Sequence, residues 1–123
     1  MHDLDAAWRA LASPTRRRIV ELLKQRSWTT AELCLAFRPE GRSRFAVMQH
    51  LRVLEGAGLV VVSRRGGRAQ SNLLNPVPIQ QLYERWIRQF RGLKPPPLLR
   101  FLDPAQHRRA LRRIHKRRSG TQN

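Results

Sequence analysis

The chain has 123 residues, room for one domain and a tail, and a domain of that size buries a core without disulfides or metals. Its 25 lysines and arginines against 8 acids give a formal charge of +17, more than solubility requires, which points to a polyanion, nucleic acid ahead of acidic lipid, with a merely solvated basic surface as the alternative. The single cysteine, Cys34, precludes an intrachain disulfide; with no signal-peptide pattern and no bilayer-spanning apolar run, a cytoplasmic protein is expected.

Leu4, Ala7, Trp8 and Leu11 fall on one stripe of a short first helix, with Asp3 and Asp5 at the positive end of its dipole. Ser13-Pro14 opens a second helix, Ser as N-cap and Pro at the first position, with Ile19, Leu22 and Leu23 apolar. Arg16, Arg17 and Arg18 stand in its first turns, where positive charge opposes the dipole. They are solvated or locally paired, or they meet a backbone phosphate. Ser27 to Thr29 is β-prone, and Thr29-Thr30-Ala31-Glu32 fits a capping box that opens a third helix, TAELCLAF.

After the turn RPEGR, the stretch SRFAVMQHLRVLEGAGLV predicts a fourth helix. Ser43 is its N-cap, Val47, Leu51 and Leu54 its core stripe, and Gly56 or Gly58 its stop. Phe45 and Met48 fall off that stripe, beside Gln49 and Arg52. LVVVSRR and RAQSNLL, separated by Gly66-Gly67, form a hairpin whose tip carries Arg64, Arg65 and Arg68. Asn75-Pro76 ends it. PIQQLYERWIRQF resumes helical spacing with Ile79, Leu82, Tyr83, Trp86, Ile87 and Phe90. That stripe is too wide for a lone surface helix: it packs on its own core or, with the first helix, forms a subunit interface.

Composition then shifts, so that residues 1–91 form the domain, 92–98 (GLKPPPL) a Pro-rich linker and 99–123 a basic tail. From Lys94 on there are nine Lys/Arg and one acid, Asp103, which is +8; residues 1–93 hold sixteen basic and seven acidic residues, +9. Asp103-Pro104 can start a helix with Ala110, Leu111 and Ile114 as a weak apolar stripe, giving an arm that orders on nucleic acid.

The predicted fold is mainly α with a small β-hairpin, in the order α-α-β-α-α-β-β-α: a winged helix-turn-helix. In such a fold the start of the second helix of the motif meets base edges, here Ser43, Arg44, Phe45, Met48 and Gln49. Gln pairs bidentately with adenine and Arg with guanine, and Phe45 and Met48 suit thymine methyl groups. Phe45 has a second reading, as a staple onto the third helix. His50 is expected to pack. Arg52 and the wing residues Arg64, Arg65 and Arg68 are placed for phosphates or a narrow minor groove.

LASPTRRRIVELL, TAELCLAF, AVMQHLRVLEGAGLVVVSRRGGR and the closing LNP together resemble the ArsR-type (arsenical-resistance repressor) family of bacterial winged-helix regulators, from about Trp8 to Phe90. The resemblance implies a homodimer through the first and last domain helices. Leu4, Trp8, Leu11, Leu82, Tyr83, Trp86 and Phe90 are its expected interface residues. It also implies double-stranded DNA as partner, the fourth helix in the major groove, the wing near the minor groove, and repression at an operator near the gene's own promoter.

Many members sense metals through Cys-x-Cys in an ELCxC pattern. This chain reads ELCLA: Cys34 matches and Ala36 replaces the second thiol. The fifth helix offers only Glu84, and His2, His50, His107 and His115 have no ligand spacing, so neither metal nor cofactor is expected. Cys34 then packs as a small hydrophobe or acts as a lone redox thiol. No nucleophile–base set and no Gly-rich phosphate loop suggests an enzyme. Two other functions remain open: a non-specific, architectural nucleic-acid binder driven by the tail, and a protein-docking module using the fourth helix.

Overall fold

The computed structural model describes residues 4–64, 70–97, 105, 108–109, 111–114 and 116. The elements run α1 (Leu4–Leu11), α2 (Pro14–Gln25), β1 (Trp28–Thr29), α3 (Thr30–Phe37), a 3-10 turn (Arg38–Glu40), α4 (Arg44–Gly56), β2 (Val60–Ser63), β3 (Ser71–Leu74), α5 (Val77–Arg85) and a 3-10 turn (Ile87–Phe90). This is the expected winged helix-turn-helix order. The chain divides into two compact units, Met1–Gln89 and Phe90–Asn123.

Local chemistry sets the helix starts. Ser13 Oγ accepts from the Arg16 N–H at 3.3 Å and Ser43 Oγ from the Ala46 N–H at 3.1 Å. Thr29 Oγ1 accepts from the Glu32 N–H at 3.1 Å, and Glu32 Oε1 accepts from the Thr29 N–H at 2.9 Å, completing the box. The Thr29 amide, then the Thr29 hydroxyl, then Arg26 hold the Glu32 carboxyl below its usual range. Each such cap stabilises its helix by about 1 kcal/mol. At the end of α4, Gly58 takes φ +76°, a left-handed conformation that only glycine adopts freely, and the Leu59 N–H reaches back to Leu54 O at 2.9 Å. The chain is thereby turned directly into β2.

The sheet is antiparallel in the order β1-β3-β2, with Val60 opposite Leu74 and Ser63 opposite Ser71. Gly66-Gly67, Arg65 and Arg68 lie outside the described residues. Ile19, Leu33, Val47, Leu54 and Leu59 are fully enclosed between α2, α3, α4 and the sheet. Asn72, on the central strand, is equally enclosed. Its Nδ2 donates to Trp28 O at 3.1 Å and to Thr30 Oγ1 at 3.2 Å, which ties β3 to β1 and to the first turn of α3. At the hairpin's exit, Asn75 Nδ2 donates to Gly58 O at 2.9 Å, joining the close of the wing to the end of α4.

The arginine triad is locally paired. Arg16 donates through Nε to Ala10 O (2.6 Å) and through Nη2 to Arg9 O (3.0 Å), and Arg17 Nη1 donates to Leu11 O (2.8 Å). These charges oppose the dipole of α2 but sit on the terminal carbonyls of α1, the negative end of that helix. Arg18 lies 3.8 Å from Glu21.

Two expectations need correction. The fifth helix does not run to Phe90: it stops at Arg85, Trp86 leaves the helical region (φ −130°, ψ −57°), and a 3-10 turn follows. Over four residues the 3.0 and 3.6 periods put nearly the same side chains on one face, so the apolar spacing could not separate them. Leu82, expected at a subunit interface, is 2 % exposed within the single chain and belongs to the interior.

Candidate nucleic-acid interface

Val47, Leu51 and Leu54 anchor α4 to the core. At 100° per residue, Arg44, Phe45, Met48, Gln49 and Arg52 then share an arc of about 140° on the opposite side. Arg44, Phe45, Gln49 and Arg52 are exposed and Met48 is half-buried. Phe45 is 69 % exposed, so it is not stapled to α3. Ser43 is exposed too; its oxygen caps the helix by accepting one bond, which leaves the hydroxyl proton and a second lone pair for a further partner.

His50 turns the other way. It is half-buried, and its Nδ1 lies 3.3 Å from Arg16 Nη1. Burial, then the charges of Arg16 and Arg42, push the imidazole below the usual histidine range. A neutral ring accepting from Arg16 through Nδ1 satisfies this arrangement. His50 therefore supports α4 from beneath.

Two residues absent from the sequence-based set belong beside it. Arg38 and Arg42, both exposed, join Arg44 around an open depression of about 280 Å³ that is also lined by Ala31, Cys34 and Leu35. The 3-10 turn and Gly41, at φ +74°, curl the chain so that these three guanidiniums gather at the start of α4. The N-terminus of that helix adds its own positive potential. On the wing, Arg64 is exposed just beyond β2, while Arg65 and Arg68 lie outside the described residues.

Comparisons with known proteins agree with the fold. Residues 11–63 match the family model described as a helix-turn-helix domain. The chain is 37% identical over 87 residues to the uncharacterized HTH-type transcriptional regulator YuzN of Bacillus subtilis (strain 168), covering 68% of this chain and 94% of that one. It is 42% identical over 78 residues to the HTH-type transcriptional regulator Rv2034 of Mycobacterium tuberculosis (strain ATCC 25618 / H37Rv), covering 63% and 69%. Among solved structures, a possible transcriptional regulator for arsenical resistance superimposes with a TM-score of 0.57 at 38% identity, covering 67% of this chain and 81% of that one. An ArsR family transcriptional regulator gives 0.60 at 26% identity, covering 72% and 91%.

The chain belongs to the ArsR-type family of winged helix-turn-helix transcriptional regulators. Its relatives and its fold are those of DNA-binding regulators, not enzymes.

As an ArsR-type regulator it departs from the metal-sensing pattern at Ala36. Cys34 is half-buried, packs against the core and borders the arginine-lined depression. Among the described residues, no three His, Cys, Asp or Glu side chains come together, and no helix is long and apolar enough to cross a membrane.

The first and last helices of the regulator present an aromatic surface. The Trp8 and Trp86 rings meet edge to face, 5.9 Å apart and 83° between planes. Trp8, Tyr83, Trp86 and Ile87 all remain exposed, Trp86 by 53 %. Leu4 and Leu11 are half-buried, and Phe90, in the second unit, is exposed.

Proposed function

We propose that the protein is a cytoplasmic, dimeric repressor that reads an inverted repeat in duplex DNA. The observation that carries this reading is the exposed face of α4, where Arg44, Phe45, Met48, Gln49 and Arg52 project together from a helix fixed to the core by three enclosed or nearly enclosed aliphatic side chains. Gln49 supplies adenine recognition, Arg44 guanine recognition, and Phe45 and Met48 contact thymine methyl groups. Ser43 donates its hydroxyl proton nearby. Arg38, Arg42 and Arg52, with wing residues Arg64, Arg65 and Arg68, hold phosphates and set the register. The winged helix-turn-helix occupies residues 1–91, a linker 92–98 and a basic arm 99–123.

The exposed Trp8–Trp86 pair supports a dimer, since aromatic side chains are enriched where subunits associate. A two-fold dimer would place its recognition helices about 34 Å apart, one turn of DNA. Occupying a promoter in that manner blocks transcription by exclusion.

Titrations on an operator and on a scrambled duplex test the division of labour. Gln49→Ala is expected to erase about 1–3 kcal/mol of the preference for the operator. Arg42→Ala should weaken both complexes alike and make the salt slope shallower by about 1. An unchanged operator preference in Gln49→Ala would remove base reading from this face.

Control by a soft metal is not part of this proposal, because Cys34 has no second thiol at position 36 and a soft metal needs several such ligands. Micromolar arsenite, zinc or cadmium should leave the operator complex intact. Metal-induced release at those concentrations would contradict it.

A further inference from the structure

The second unit carries a charge pattern that the winged-helix reading does not use. Residues 105, 108–109, 111–114 and 116 are helical, and all are exposed. At 100° per residue, Arg108, Arg109, Arg112, Arg113 and Lys116 fall within an arc of about 140°, while Leu111 and Ile114 lie on the other side. Three of the cationic pairs (108/112, 109/113 and 112/116) stand four residues apart, where like charges destabilise a helix. From Lys94 to Asn123 the sequence has one acid, Asp103. A polyanion laid against this face would relieve the repulsion.

We propose that this helix is a second nucleic-acid-binding element. It places its arginine face along the phosphates of duplex DNA without reading sequence. The inference rests on the DNA-binding function proposed above. Guanidinium forks suit phosphate oxygens bidentately, which accounts for four arginines in the five cations. An acidic membrane is the less favoured partner. Interfacial helices insert a broad apolar face with aromatic anchors, and here the described residues opposite the charge are only Leu111 and Ile114. Covalent attachment to a DNA-binding domain also holds the helix at an effective concentration in the millimolar range near DNA.

The test compares the full-length chain with its Arg108→Gln, Arg109→Gln, Arg112→Gln, Arg113→Gln quadruple variant. Glutamine has nearly the helix propensity of arginine, so circular dichroism should match. On a scrambled duplex, the slope of log K against log salt should become shallower by about 3–4 per bound protomer, and low-salt affinity should fall roughly tenfold or more. The corresponding quadruple lysine variant should restore the slope. The preference for operator over scrambled DNA should survive in all three proteins. Unchanged slope and affinity in the glutamine variant would overturn the proposal. So would arginine-dependent co-sedimentation with phosphatidylserine vesicles alongside an unchanged DNA slope. Wild-type protein without operator preference would instead overturn base reading by α4, and the slope comparison would still decide the role of the tail.

Discussion

Replacing Trp86 with glutamate should convert the proposed dimer to monomers and lower its affinity for an inverted-repeat operator by at least about 100-fold. Trp86 is 53 % exposed and sits edge-on to Trp8, itself 39 % exposed, and Tyr83 and Ile87 are exposed as well. A carboxylate buried at the centre of such a surface has no compensating partner, and an uncompensated buried charge costs several kcal/mol. The loss in affinity follows from linkage. Two joined recognition helices bind with the second at millimolar effective concentration; a single helix binds alone. Specific dimeric sites typically reach 10⁻⁸ M or tighter, against roughly 10⁻⁴–10⁻⁶ M for non-specific binding. The protomer should stay folded, because Trp86 lies at the surface, 53 % exposed, and not among the enclosed core residues. Sedimentation and operator titration of the same preparation check both halves. A Trp86→Glu protein that remains dimeric and binds with unchanged affinity would show that the surface serves another purpose.

Asn72→Ala is expected to lower the stability of the winged-helix unit by about 2–4 kcal/mol, combining a lost hydrogen-bonding group with a cavity. In a domain of this size that is a fall in Tm of roughly 10–25 °C. Asn72 is 1 % exposed, and its amide serves both Trp28 O and Thr30 Oγ1. Without it, two oxygens lose a donor at the junction of β1, β3 and α3. Asn72→Leu fills the volume but leaves the same oxygens without that donor, so it should also destabilise. Thermal denaturation of both variants measures this. If each melts within a few degrees of wild type, the side chain is not holding the sheet to the helix-turn-helix.

The role of Asn72 is not legible in the sequence. Its partners lie 42 and 44 residues away, and nothing in RAQSNLL marks one polar residue of the strand as enclosed. The caps at Ser13, Thr29–Glu32 and Ser43 were legible because each joins residues three apart. The same holds for Val47, Leu51 and Leu54, whose spacing assigns the inner face of α4 and therefore its outer face.

Leu82 shared the periodicity of Tyr83 and Trp86. A stripe reports that a face is covered and does not say by what, and Leu82 is enclosed by its own chain. Arg38 and Arg42 looked like turn residues in RPEGR. Their association with Arg44 depends on the 3-10 turn and on Gly41, a backbone geometry that charge counting does not encode. Phe45 had two readings of equal local merit, and its 69 % exposure leaves the outward one.

Whether α4 reads sequence as part of a two-fold dimer can be decided by selecting bound duplexes from a random library with the full-length protein. One motif should be enriched: an inverted repeat whose half-sites are centred about one helical turn, or roughly 10 base pairs, apart. Recovery of duplexes with no shared motif, or of a single half-site without two-fold symmetry, would contradict a dimeric reader built on α4.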